Sequence, residues 1–154
     1  LCKASNRVVA LAYGCEDFIT DLEGIHDAES KSLFVPRATI AMAARANGVI
    51  PIDTVHIKVH DFIDLERNLK IAKNLGFEGM LVLNPKEIPL VHKYFSPSEE
   101  DVAWAEEMLK LAEQAHSEGK GVAVKDGKFI GPPMILAARK ILKKQELINK
   151  KSKV

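Results

Sequence analysis

Two uninterrupted apolar runs, Arg7-Val-Val-Ala-Leu-Ala-Tyr13 and Gly79-Met-Leu-Val-Leu-Asn84, constrain this chain more than any other feature, with a β-branched-rich segment from Ile52 to Val59 between them. Continuous rather than alternating hydrophobicity suits a parallel strand covered on both faces. The stretches between the strands carry helical spacing. Pro36 stands where a helix can start, Ile40, Ala43 and Ala44 share one face, and Gly48 closes it. Asp61 or Asp64 caps a second helix whose Leu65, Leu69, Ala72 and Leu75 share a face, with Gly76 at its end. Pro85 stops the third strand, and a short helical segment to about Tyr94 follows. The first strand is followed by a polar stretch from Glu16 to Ser32, rich in Asp, Glu, Gly and Ser.

Strand-helix units of about 30 residues with short connections specify an α/β fold with a parallel sheet and right-handed crossovers. Such units serve an open sheet or a barrel equally. An eight-fold (β/α)8 barrel takes about 250 residues, so three units cannot close one, and either the sheet is open or the remaining strands lie on another polypeptide. After Ser96-Pro97 the pattern changes. Ser96 or Ser98 caps a long helix with Glu99, Glu100 and Asp101 in its first turn and a stripe of Val102, Ala105, Leu109 and Ala112, stopped by Gly119. Val122 to Lys125 and Lys128 to Ile130 flank Asp126-Gly127, a hairpin signal. Met134 to Ile148 forms a last amphipathic helix, and Asn149 to Val154 a solvated tail. The expected organisation is a partial barrel over residues 1–95 and a helix-hairpin-helix extension of the same domain over residues 96–154.

Composition narrows the function classes. The 22 basic and 21 acidic residues leave no net field, so no nucleic-acid partner is expected. No run of about 18 apolar residues predicts a spanning helix, and no membrane partner is expected. Cys2 and Cys15 are too few for a disulfide scaffold and fit a reducing, cytoplasmic setting. The opening Leu-Cys-Lys-Ala-Ser-Asn has neither a secretory pattern nor an initiator methionine, which reads as part of a longer protein.

Ligands in parallel α/β sheets gather at the carboxyl ends of strands, here Gly14-Cys-Glu-Asp17, His60-Asp61 and Asn84-Pro85. Gly14 permits a tight turn, and successive amides at Cys15, Glu16 and Asp17 can form an anion-binding concavity. Asp17 adds a hard oxygen suited to Mg²⁺, which takes one or two protein carboxylates and keeps waters. The plainer alternative is that Glu16 and Asp17 open a solvated loop. His56 and His60 fall four apart on one face of the second predicted strand, with His26, His92 and His116 scattered, and a structural or surface role is read for each. The serines form no nucleophile elbow, Cys15 has no evident base, the glycines make no phosphate loop, and Trp104 reads as a packing anchor.

Taken together, Ala12-Tyr-Gly-Cys-Glu-Asp-Phe18, Pro36 to Gly48, Ile52-Asp-Thr-Val55, Leu75-Gly-Phe-Glu-Gly79, Leu83-Asn-Pro-Lys-Glu-Ile88, Phe95 to Glu100 and Asp126 to Pro133 resemble the citrate lyase β-subunit (HpcH/HpaI aldolase/citrate lyase) family, in its C-terminal half. The resemblance implies the C-terminal half of a TIM barrel, trimeric or hexameric assembly, and Mg²⁺ held by two carboxylates, with Asp17 at the position of one. It implies cleavage of a citryl-, malyl- or citramalyl-type thioester, carried on coenzyme A or an acyl-carrier protein, to a 2-oxo acid and an acyl thioester. Substrate contacts would then fall at Gly14, Cys15, Glu16 and Asn84. The other metal-binding Glu and a substrate-contacting Arg belong to earlier strands that this chain does not contain. A family Asp contributed across a subunit interface matches Gly131 here, which counts against thioester hydrolysis or synthesis, and Glu87 replaces the usual Gln. A non-catalytic assembly or regulatory scaffold is the alternative from a different class.

Overall fold

A computed structural model describes residues 1–27, 31–120 and 122–151, the side chain of Lys128 apart. The chain divides into two compact units, Leu1–Phe95 and Ser96–Val154.

The first unit holds a three-stranded parallel sheet in the order β1 (Ala10–Ala12), β2 (Ile50–Asp53), β3 (Gly79–Met80). Ala10 pairs with Ile50 and Ala12 with Ile52, while Ile52 pairs with Gly79 and Asp53 with Met80. All three strands are shorter than their apolar runs. β2 lies two residues earlier than expected and stops at Asp53, so Thr54 to His60 is irregular and β3 loses its ladder partner just past Met80. The reading of His56 and His60 as neighbours on one strand face is therefore corrected: His56 is buried and His60 exposed. The expectation of burial on both faces is also corrected for this chain. Ala10 and Ala12 are exposed, Val9 is 69% exposed, and Ile50, Leu81 and Leu83 are open as well, because nothing among the described residues of the first unit covers that side of the sheet.

The polar stretch after β1 contains a helix, α1 (Cys15–Asp21), which the sequence reading did not assign. Glu16 and Asp17 in its first turn favour the N-terminal end of the dipole, and Cys15 and Ile19, one turn apart, bury together against Tyr13 and Leu33. These apolar positions outweigh a composition that reads as loop. The part of that stretch at 28–30 lies outside the described residues. Helix α2 (Phe34–Ala46) begins two residues before Pro36, which sits in the first turn where its missing N–H costs nothing. Helix α3 (Phe62–Leu75) is capped by Asp61, whose Oδ1 accepts from the Asp64 amide at 3.0 Å, and ends at Gly76 with φ 91°, a conformation that favours glycine. Leu65, Leu69 and Ala72 are buried as the spacing predicts. A 3-10 turn at Pro85–Glu87 leads into α4 (Ile88–Phe95).

One ion pair locks α2 to the sheet. Arg37 donates through Nε to Asp53 Oδ1 at 3.2 Å and through a terminal nitrogen to Asp53 Oδ2, and it also reaches the carbonyl of Asn68 on α3 at 3.3 Å. Both side chains are fully buried, at 1% and 0% exposure. Burial raises the Asp53 carboxyl above the ordinary carboxylate range, and the bound guanidinium opposes that shift.

In the second unit α5 (Glu99–Ser117) is capped by Ser98, which exchanges hydrogen bonds with Asp101 at 3.0 Å in each direction. Its fully buried positions are Ala105, Met108 and Ala115, so the stripe is rotated slightly from the predicted one and Val102, Leu109 and Ala112 are half-buried. The hairpin forms as predicted. β4 (Ala123–Lys125) and β5 (Lys128–Ile130) pair antiparallel around Asp126 and Gly127, with φ of 48° and 72°. Helix α6 (Pro132–Lys151) starts earlier than expected and continues through Asn149, with two prolines at its first turn. The last three residues of the expected tail lie outside the described residues. Ala105, Met108, Ala115, Ala123, Ile130 and Ala138 form the core, with Trp104 packed against it. No helix among the described residues is long and apolar enough to cross a membrane.

Removing one partner of a buried pair strands the other charge. Arg37→Leu is expected to cost about 3–5 kcal/mol in urea unfolding, and joint replacement of Arg37 and Asp53 by leucine to recover most of it. A single-variant loss within about 1 kcal/mol would show that the pair does not hold α2.

Candidate functional site

The carboxyl ends of the three strands carry two separate features, an exposed carboxylate and a cleft. The carboxylate is Asp17. It lies in the first turn of α1, exposed, and makes no hydrogen bond or ion pair among the described residues. A Cβ placed on Gly14 would stand 3.7 Å from Asp17 Oδ2, so the carboxylate folds back over the strand end. The amide concavity expected here forms only in part. The Cys15 amide donates to Thr54 Oγ1 at 3.2 Å, which ties the end of β1 to the end of β2. The amides of Glu16 and Asp17 meet no acceptor among the described residues, as first-turn amides do.

Gly14, Cys15 and Glu16 stand beside Asp17 as the sequence places them, but two have other tasks. The Cys15 thiol is buried and donates to Glu16 Oε1 at 3.2 Å, and that same oxygen is 3.1 Å from His26 Nε2. Burial, and then the Glu16 carboxylate beside it, push the thiol up to about 11 against the help of Thr54. Burial likewise raises the Tyr13 hydroxyl to about 12.

Asn84 is not brought to Asp17 by any hydrogen bond. Its Nδ2 donates to the Val59 carbonyl at 3.1 Å and its Oδ1 accepts from the Lys86 amide at 3.0 Å, so the side chain ties the β2 loop to the turn after β3. Glu87 completes that turn. Its Oε2 accepts from the amides of Leu83 at 3.2 Å and Asn84 at 3.4 Å, and its buried Oε1 has no partner among the described residues. The remaining strand-end pair, His60-Asp61, serves α3 through the Asp61 cap.

The cleft encloses about 540 Å³, counting space open to solvent, between the start of α1 and the β2–α3 connection. Cys15 and Glu16 line one side, and Thr54, His56, Lys58 and Asp64 the other; Asp17 and Asn84 are not among its lining residues. His56 Nε2 is 3.0 Å from Asp64 Oδ2, and Lys58 and Arg67 also pair with that carboxylate. Burial alone would raise the Asp64 carboxyl, but the His56 hydrogen bond and the charges of Arg67 and Lys58 outweigh it and hold it below the ordinary range. Sequence reasoning missed this constellation and the Arg37–Asp53 pair. The available signals were a charged residue at the end of an apolar run and a histidine eight positions before an aspartate in the first turn of a helix.

Among the described residues no group of three or more His, Cys, Asp or Glu side chains is placed to hold a metal ion. A lone exposed carboxylate still fits Mg²⁺, which needs only one or two protein carboxylates with water and ligand oxygens. In the second unit Gly131 is buried, and any side chain there meets the ring of Phe129.

Comparison with known proteins gives this geometry a context. The family model for HpcH/HpaI aldolase/citrate lyase matches residues 2–85. Citrate lyase subunit beta of Haemophilus influenzae is 33% identical over 141 residues, covering 92% of this chain and 48% of that protein. Mitochondrial citramalyl-CoA lyase of Homo sapiens is 32% identical over 130 residues, covering 84% and 38%. The crystal structure of protein CitE from Mycobacterium tuberculosis, in complex with magnesium, acetoacetate and coenzyme A, superposes with a TM-score of 0.71 at 30% identity, covering 88% of this chain and 51% of that one. The chain spans about half the length of the curated citrate lyase β subunits it matches.

A raised thiol leaves little thiolate to react. Iodoacetamide at pH 8 is expected to alkylate Cys15 in the folded protein about a hundredfold more slowly than in denaturant, followed by peptide mass spectrometry. Equal rates would place the thiol outside the buried cluster.

Proposed function

The chain belongs to the HpcH/HpaI aldolase/citrate lyase family, and from that premise we propose that it is the C-terminal half of a TIM-barrel carbon–carbon lyase, dependent on Mg²⁺ and acting in the cytoplasm on a citryl-, malyl- or citramalyl-type thioester. Residues 1–95 supply part of the barrel wall and residues 96–154 an extension of the same domain. The open side of the sheet, with Val9, Ile50, Leu81 and Leu83 exposed, supports a covering layer of further strands. That layer would carry the second metal-binding carboxylate and the substrate-binding Arg implied by the family pattern. The assembled protein is a trimer or hexamer in this reading.

Asp17 carries the proposal: it is an exposed carboxylate, free of partners among the described residues, at the strand ends of a family member. When bound there, Mg²⁺ supplies Lewis-acid polarisation of the oxygens of the 2-oxo acid portion. The residues of this chain then act in simple ways. Asp17 offers the metal a hard oxygen. The free amides of Glu16 and Asp17 donate to the acid's carboxylate, and Gly14 leaves the approach to them clear of a side chain. Thr54 holds the Cys15 amide and so fixes the angle at which α1 leaves the sheet. Asn84 holds the β2 loop against the β3 turn and shapes the mouth rather than contacting substrate with its side chain. The thioester on coenzyme A or an acyl-carrier protein leaves as the acyl product.

Gly131 offers no acid–base group, which sets thioester hydrolysis or synthesis behind cleavage. The second reading is a scaffold that assembles or regulates without catalysis, favoured by the lack, among the described residues, of any group of three or more His, Cys, Asp or Glu placed to hold a metal ion.

Full-length protein assayed with Mg²⁺ and citryl-, malyl- and citramalyl-CoA is expected to release a 2-oxo acid from one of them. Asp17→Asn is expected to weaken Mg²⁺ binding, followed by calorimetry, by more than about 100-fold, beyond what outer-shell changes cost, and to lower turnover with it. Unchanged affinity and turnover would remove Asp17 from the site, and a folded full-length protein inert toward all three thioesters would favour the scaffold.

A further inference from the structure

Where α5, the hairpin and the start of α6 meet, the second unit carries a groove that encloses about 1180 Å³, counting space open to solvent. Its shape follows from small residues. Ala112 and Ala115 on α5 and Ala123 on β4 line it, and with a methyl group each they leave unfilled the room that larger side chains would take. Leu109 and Ile135, both half-buried, complete an apolar floor that a ligand can touch. Each helix then turns polar at the rim. His116 stands one turn beyond Ala112 on α5, and Arg139 one turn beyond Ile135 on α6, so each shares a helix face with an apolar residue of the floor. Both are exposed and line the groove, and neither side chain makes a hydrogen bond or ion pair among the described residues.

Charge decides what fits. Arg139 and Lys120 line the groove as cations against one carboxylate, Glu113. Lys120 is committed to Glu118 at 2.7 Å, which leaves Arg139 as the uncommitted cation of the rim. A guanidinium is always charged, and its planar fork of donors matches a carboxylate. Hydrocarbon is what an apolar floor selects, and a few polar groups at its edge fix the orientation.

We propose that this groove binds an amphipathic monocarboxylate, a medium-length alkanoate whose chain lies on Leu109, Ala112 and Ile135 and whose carboxylate pairs with Arg139. His116 stands at the rim as a further donor. The site lies wholly within the second unit, uses no residue of the strand ends, and stands whether or not the protein is a lyase.

Decanoate, butanoate and decylamine separate the chain from the charge. In full-length protein with its isoleucine methyl groups labelled with ¹³C, decanoate below its micelle concentration is expected to shift the Ile135 methyl resonance saturably. Butanoate, with the same head, is expected to bind at least about 60-fold more weakly, at about fourfold for each of about three methylenes no longer buried. Decylamine, with the same chain, is expected to bind at least about tenfold more weakly, and Arg139→Gln to remove that preference. An Ile135 resonance that does not move would mean that the rest of the full-length protein or a second copy covers the groove, and would overturn the proposal. So would shifts that spread over the methyl groups without saturating, butanoate or decylamine binding as tightly as decanoate, or a preference for the acid that survives Arg139→Gln. The Ile135 shift is read on the unaltered protein, and no readout depends on turnover.

Discussion

The end of β2 governs the first unit. Asp53 is its last residue, and three constraints meet there: its backbone carbonyl accepts the Leu81 amide at 3.0 Å, its side chain takes the Arg37 guanidinium from α2, and the same guanidinium touches α3 through the Asn68 carbonyl. A charged pair fully removed from water is tolerated only when its hydrogen bonds are met, so the geometry of both helices against the sheet follows from this one contact. Replacing it with apolar residues of similar volume could preserve stability; breaking one side could not.

From that anchor the strand-end chemistry is arranged in order. Thr54, next in sequence, holds the Cys15 amide and so sets where α1 begins. The direction of α1 puts Glu16 into the cleft and leaves Asp17 outside it, since adjacent helical residues face about 100° apart. Two residues later, His56 turns to Asp64 rather than continuing a ladder. A single strand terminus thus separates an exposed carboxylate, suited to a hard cation, from a half-enclosed cleft lined by His56 and Asp64.

How much of this was readable in advance depends on the range of the interactions. Gly76 and the Asp126-Gly127 turn obey local steric and hydrogen-bond rules and appear as read, and each helix cap is one of the two residues offered for it, Asp61 rather than Asp64 and Ser98 rather than Ser96. Helix α1 was missed because its buried positions, Cys15 and Ile19, are only two, and they count as core only once Leu33 and Tyr13 stand opposite. The strand lengths were overestimated for a related reason. Leu81, Val82 and Leu83 are as apolar as any strand, yet a strand lasts only as long as its neighbour's ladder, and β2 ends at Asp53. At the candidate site Asp17 was legible as a carboxylate after a strand, while the task of Asn84 was not, because its partner Val59 is 25 positions away.

The order of residues by itself determined the class of fold, the alternation of strand and helix, the change of pattern at Ser96, and the family motifs, because apolar periodicity, caps and turn residues act within a few positions along the chain. Only the tertiary structure decided which side chains are spent on structure and which remain free for chemistry. Glu16, Asp64 and Asn84 are bound to partners that other segments bring to them, whereas Asp17 and Arg139 are left without one among the described residues. That division rests on hydrogen bonds across long sequence separations, whose geometry exists only after the sheet has been assembled.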